Sequence, residues 1–126
     1  MSRARAIRAY LRARRHRERI IGRELFADPA WDMLLDLYAS ALEERPVSIS
    51  SLCLASAVPA TTALRQIDSL LAAGLVRRRP DPADRRRRFI RLDELGWRRL
   101  NDYFATVDVA VLPGRVQGPD PFEVIW

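Results

Sequence analysis

Between Gly74 and Leu92 the chain reads GLVRRRPDPADRRRRFIRL, with eight arginines, two aspartates and apolar residues at both ends. Leu75 and Val76 on one side, and Phe89, Ile90 and Leu92 on the other, call for burial, while the arginines between them do not. Two short strands anchored in a core and joined by the loop Pro80-Asp81-Pro82-Ala83-Asp84 satisfy both demands. The result is a basic finger held out from a folded body. Its successive arginines Arg85, Arg86, Arg87 and Arg88 repel one another unless an anion lies against them. Nucleic-acid phosphate is the anion that best fits such a finger.

Charge is segregated along the whole chain. Residues 1–26 hold nine Arg against two Glu, residues 27–75 two Arg against six acids, residues 76–92 eight Arg against two Asp, and residues 93–126 three Arg against six acids. The net charge of +6 thus conceals two basic blocks separated by acidic stretches, the pattern of a directed electrostatic footprint. All 22 basic residues are arginine, whose planar fork can make two hydrogen bonds at once to a phosphate or a guanine. One domain with one core suits 126 residues of which 48% are apolar. A single cysteine excludes an internal disulfide. No run of about 18 apolar residues and no secretory leader pattern occur, so a cytoplasmic location is expected.

Periodicity predicts a mainly α chain with a small β-sheet, an α+β fold. Residues 3–26 read as a helix with Ile7, Leu11, Ile21 and Leu25 near one face. Arg14 and Glu18 fall on that same line, so its middle is expected to be exposed or to pack only at the ends. Asp28-Pro29 signals the next helix start, carrying Trp31, Leu34, Leu35, Tyr38 and Leu42 until Pro46 stops it. Val47-Ser48-Ile49 suits a short strand. Ser50 or Ser51 can cap a short helix through Ala57, with Leu52 and Ala55 inward. After a break at Val58-Pro59, a helix to Ala73 carries the apolar face Ala63, Ile67, Leu70 and Leu71, with Gly74 as its left-handed terminus. Beyond the two strands, Asp93 caps a helix with Leu95, Leu100, Tyr103, Phe104 and Val107, ending before Pro113. The last 14 residues are expected to form an extended tail.

Residues 50–74 are therefore two short helices with a tight turn between them, a helix-turn-helix, and the two-stranded basic loop makes it winged. Here the sequence resembles the MarR family of winged-helix transcription regulators. The resemblance rests on Leu70 with Gly74-Leu75-Val76, on Asp81-Pro82-Ala83-Asp84-Arg85-Arg86 as the family's Asp-x-Arg wing, on Ile90-x-Leu92, and on Gly96. It covers roughly residues 28–104. It implies double-stranded DNA as partner, Arg86 as the wing-tip residue entering the minor groove, and Asp84 as its brace. It also implies a homodimer built from the N- and C-terminal helices, and a small-molecule effector pocket between the dimerisation and DNA-binding parts. The expected divisions are a basic N-terminal helix (1–27), a winged helix-turn-helix (28–92), a C-terminal helix (93–112) and the tail (113–126). The chain departs from the family after residue 112, where a Pro-Gly-rich tail stands in place of a further dimerisation helix, and in the arginine content of its first helix.

Helical phase names the candidate DNA readers. If residues 63, 67, 70 and 71 face inward, then Ala60, Thr61, Leu64, Arg65 and Asp68 face outward, with Gln66 at the side. Arg65 can pair with guanine O6 and N7, Thr61 with phosphate or a thymine methyl, and Ala60 and Leu64 can give apolar contacts. Asp68 can orient Arg65 or accept from cytosine; the bland alternative is an exposed Arg65–Asp68 ion pair. On the wing, Arg77, Arg79, Asp84, Arg85, Arg86, Arg87 and Arg88 complete the set. The bland alternative for that set is a solvated charge run, and for the N-terminal arginines a solvated helix face. Cys53 reads as an inert cysteine rather than a redox switch, because no cation neighbours it in sequence. His16 lacks metal-ligand partners. No paired-carboxylate, Ser-His-Asp, Cys-His or glycine-rich phosphate constellation occurs, so neither catalysis nor a cofactor nor a metal is expected. Two functions remain open: a sequence-specific DNA-binding regulator, acting as a repressor by promoter occupancy or as an activator, and a winged-helix module binding protein or RNA.

Overall fold

A computed structural model describes residues 2–107. The elements are α1 (Arg3–Ile21), α2 (Arg23–Phe26), α3 (Pro29–Leu42), β1 (Val47–Ser48), α4 (Ile49–Ala55), α5 (Ala60–Ala72), β2 (Val76–Asp81), β3 (Asp84–Leu92) and α6 (Glu94–Thr106). The three strands form one antiparallel sheet in the order β1-β3-β2. This is the expected mainly α architecture with a small sheet, a helix-turn-helix at α4–α5 and a hairpin behind it. The expected stretch 108–112 of the last helix and the tail 113–126 lie outside the described residues.

The core gathers one face from nearly every element: Ile7 and Tyr10 of α1, Met33, Leu35 and Tyr38 of α3, Leu52 of α4, Ala63, Ile67 and Leu70 of α5, Val76 and Ile90 of the sheet, and Leu100 and Phe104 of α6. Tyr38 is fully buried and stacks on Phe104 with centroids 5.3 Å apart. Its hydroxyl donates to Asn101 Oδ1 at 2.7 Å and accepts from Arg3 Nη1 at 3.0 Å. A buried phenol with both roles filled adds its apolar area to the core without an unsatisfied polar group. Tyr103 stays 37% exposed, although it meets Trp31 edge-on at 5.2 Å.

Several boundaries differ from the sequence reading for identifiable reasons. The first helix breaks at Gly22 (φ 147°), a conformation closed to residues with a Cβ. On either side of the break Ile21 and Leu25 are exposed rather than packed. Asp28 precedes Pro29 at the first helical position, but its side chain makes no capping bond. Ser48, not Ser50 or Ser51, caps α4 by accepting from Ser51 N at 3.1 Å. Ser48 also belongs to β1, paired with Phe89, so Ile49 is helical rather than extended. α4 ends at Ala55, which is exposed rather than inward. The turn to α5 passes through Ala57 at φ 58°, a left-handed position for a residue with a Cβ.

The middle of α1 is the largest correction. Arg14 and Glu18 are not exposed; they are 4% and 3% accessible. Arg14 donates from Nε to Asp32 Oδ1 of α3 at 2.7 Å and from Nη2 to Phe26 O at 3.3 Å. Arg15 pairs with the same Asp32, lies 2.9 Å from Glu18 Oε2, and donates to Ser56 O at 3.1 Å. About two turns earlier in α1, Arg8 binds Asp36, Ser40 and Glu43. α1 therefore packs on α3 along its length, through apolar contacts interleaved with ion pairs.

Candidate nucleic-acid interface

α5 owes its position to a sharply two-sided sequence. Ala63, Ile67 and Leu70 are buried, with Leu71 half-buried. The opposite side carries Ala60, Thr61, Leu64, Arg65 and Asp68, all exposed, with Gln66 between the two. Arg65 and Asp68 do not pair; among the described residues Arg65 has no carboxylate within 4.0 Å. The outward face predicted from phase is thus present, and its guanidinium is not held by Asp68. Gly74, at φ 74°, ends the helix in the left-handed conformation, and Leu75 N closes the end by donating to Leu70 O at 3.1 Å.

The hairpin that follows is tighter than its sequence suggested. The strands run through Asp81 and Asp84, leaving a turn of only Pro82 and Ala83, with a register irregularity between Pro80 and Asp81. Pro80 is tolerated inside a strand because β2 is an edge of the sheet. Two aspartates build the tip. Asp81, 9% exposed, accepts from Ala83 N at 2.8 Å. Asp84 accepts from Arg86 N at 3.0 Å and lies 3.5 Å from Arg86 Nε. Such turns, in which an aspartate bonds the backbone two residues on, fix the tip without a long loop. Asp81 was missed in the sequence as a tip-building residue, although an aspartate followed by Pro-Ala carries that signal.

All eight hairpin arginines are exposed. Only two approach a carboxylate among the described residues: Arg86 at 3.5 Å from Asp84 and Arg87 at 4.0 Å from Asp81. Arg86 retains 93% of its side-chain exposure, so its pair with Asp84 leaves the guanidinium free to bind elsewhere. Arg79 and Arg87 both lie over one ring, Phe89, at 5.8 and 5.3 Å from its centroid. Arg79 is the cross-strand partner of Phe89, and Arg87 stands two residues before it, so the pleat puts all three on one face. Each such contact supplies about 0.5–1 kcal/mol at an exposed site and restricts the arginine's rotamers.

Three arginines of the N-terminal basic block behave oppositely. Arg8, Arg14 and Arg15 are spent on Asp32, Asp36, Glu43 and Glu18 inside the fold. Burial alone would lower the pKa of Arg8; hydrogen bonds to Glu43 and Asp36 override it and raise it. For Arg14, burial is likewise outweighed by Asp32. Arg8 in turn holds the Glu43 carboxyl below its ordinary range. Cys53 is half-buried and burial pushes its thiol pKa up, as suits an inert cysteine. Among the described residues no cluster of three or more His, Cys, Asp or Glu could hold a metal ion, and no helix is long and apolar enough to cross a membrane.

Known proteins match the chain in the region that holds the helix-turn-helix and most of the hairpin. The sequence profile of the MarR family matches residues 37–87. Over those residues the winged helix of this chain is similar to the MarR family. Solved structures of that architecture superpose on it. The haem sensor PefR from Streptococcus agalactiae aligns at 18% identity and TM-score 0.55, over 63% of this chain and 52% of its own. A crystal structure of MarR aligns at 23% identity and TM-score 0.52, over 76% and 68%. BpsR of Bordetella bronchiseptica, whose DNA binding is regulated by 6-hydroxynicotinic acid, aligns at 26% identity and TM-score 0.50, over 78% and 66%. The aligned part spans about half the length of the haem sensor. No curated protein sequence matches the chain.

Proposed function

We propose that this chain is a transcription regulator that binds double-stranded DNA with sequence preference, as a homodimer, and represses by occupying a promoter. The run of exposed arginines in the hairpin, next in the chain to the outward face of α5, carries the reading. The arginines of α1 that touch α3 are neutralised within the fold, whereas six of the eight hairpin arginines have no carboxylate within 4.0 Å among the described residues. Uncompensated charge beside the bare face of α5 is what a duplex would neutralise. In this reading α5 lies in the major groove. Arg65 reads guanine, Thr61 contacts phosphate or a thymine methyl, Ala60 and Leu64 give apolar contacts, and Gln66 reaches phosphate. Arg86 enters the minor groove, braced by Asp84, while Arg77, Arg79, Arg85, Arg87 and Arg88 grip the backbone. Exposed Ile20, Ile21 and Leu25, 59–76% accessible, support an interface between copies at the end of α1 and in α2. The haem and 6-hydroxynicotinic acid responses of PefR and BpsR suggest a small-molecule effector here too.

Selection of bound sites from random duplexes, followed by titration of variants, tests this. Arg65→Ala is expected to cost about 1–3 kcal/mol on the selected site and to relax its base preference. Replacing Arg85–Arg88 together is expected to weaken binding to all duplexes alike. Wild-type affinity is expected to fall by about 10³ between roughly 50 and 200 mM salt if about six phosphates are neutralised. Unchanged affinity after loss of the four arginines, or a preference for RNA over duplex DNA, refutes the reading.

A further inference from the structure

A second basic surface lies away from α5. Arg5, Arg8 and Arg12 of α1, with Glu43 and Arg45 just past α3, enclose an open groove of about 460 Å³. Arg8 is engaged by Asp36 and Glu43, so these two acids are already paired. Arg45, 69% exposed, only approaches Glu43 at 3.9 Å. Arg5 and Arg12 are exposed and have no carboxylate within 4.0 Å among the described residues. Four guanidiniums line the groove against one carboxylate, Glu43, and even with Asp36 and the exposed Glu44 beside it the balance stays positive.

This groove adjoins the hairpin. The next residue, Pro46, together with Val47 lines a groove of about 400 Å³ whose remaining walls are Phe89, Ile90 and four arginines of β2 and β3, with no acid among them. The two grooves therefore meet at the Arg45–Pro46 peptide. Arginines thus line both grooves, those at the base of the hairpin and those of α1, on either side of the Arg45–Pro46 peptide.

We propose that this band is a second anion-binding surface, which takes the phosphate backbone of the duplex beyond the stretch contacted by α5 and the hairpin tip. The proposal rests on the DNA-binding reading above and extends its footprint. Charge complementarity selects the occupant: two arginine-lined grooves side by side, whose one lining acid, Glu43, is already paired with Arg8, match a regularly spaced polyanion better than a single small anion. The contacts are to phosphate, so they add affinity and salt dependence without base preference.

The test compares the full chain with two triple variants, Arg5→Gln/Arg12→Gln/Arg45→Gln and Arg5→Lys/Arg12→Lys/Arg45→Lys, on a random-sequence duplex of about 30 base pairs. Arg8 is left in place because its loss would free Asp36 and Glu43. Each phosphate contact contributes about 0.9 to the slope of log affinity against log salt. The Gln variant is expected to lose about 2–3 from that slope, the Lys variant to keep it, and both to keep the wild-type selected base preference. A Gln variant with the wild-type slope overturns the proposal. So does a Lys variant that loses the slope as fully as Gln, or a loss confined to RNA. If the wild type itself binds no duplex, the DNA-binding reading fails instead.

Discussion

Replacing Asp32 by Ala removes the carboxylate on which two guanidiniums of α1 converge. Asp32 is 3% exposed and accepts from Arg14 at 2.7 and 3.3 Å as well as from Arg15. Without it Arg14, 4% exposed, keeps only the Phe26 carbonyl at 3.3 Å and becomes a buried charge with no counterion. Breaking a buried pair in this way costs about 3–5 kcal/mol. That is a large part of the roughly 5–15 kcal/mol by which a domain is stable. At about 4 °C per kcal/mol for a chain of this size, Tm is expected to fall by roughly 12–20 °C. Urea unfolding followed by far-ultraviolet circular dichroism gives the free energy directly. The companion variant Arg14→Met/Asp32→Leu removes both charges and is expected to recover most of the loss, because Arg15 still has Glu18 and the Ser56 carbonyl. A cost under about 1 kcal/mol for Asp32→Ala, or a double variant no better than the single one, refutes the reasoning.

Gly96→Ala is expected to destabilise by about 1–3 kcal/mol or more, since a Cβ there would sit 2.1 Å from the Leu75 carbonyl oxygen, a backbone atom; an unchanged urea midpoint would contradict this. The Glu43 carboxyl is lowered by its hydrogen bond from Arg8 against an opposing burial effect. Its stabilisation is therefore present above the unfolded value near about pH 4.3 and lost as pH falls through the lower folded value. The Tm gap between wild type and Glu43→Gln is expected to shrink on acidification from about pH 5 to about pH 3, and a constant gap counts against it. Cys53, with its thiol pKa raised by burial, is expected to react with a disulfide reagent near neutral pH more slowly in the native chain than in the urea-unfolded chain. Equal rates would show that burial does not protect it.

What could be read from the sequence was local. The outward face of α5, Gly74 at its end and the Asp93 cap of α6, which accepts from Glu94 N at 2.7 Å, each depend on residues within a turn or two. Ser48 was misread because β1 has two residues and exists only through pairing with Phe89 and Ile90, some forty positions away. The tight hairpin was hidden because Pro80 looked like loop, and only the sheet order reveals that it sits on an edge. Arg14 and Glu18 were taken to weaken the amphipathic face of α1. Periodicity assigns charge to solvent, and nothing near them in sequence announces that Asp32 waits on the facing helix. Of the candidate interface, the exposure of Thr61, Leu64, Arg65 and Arg85–Arg88 was legible. The pairing of Arg8, Arg14 and Arg15 within the fold was not.

The close approach at Gly96 has a mechanical meaning. Leu75 O, directly after the α5 terminus, presses on the backbone of α6 and also accepts from Asp93 N at 2.9 Å. No side chain stands between the two backbones to absorb a displacement. The end of α5 and the start of α6 are thus geared together, so that a tilt of either helix bears directly on the backbone of the other.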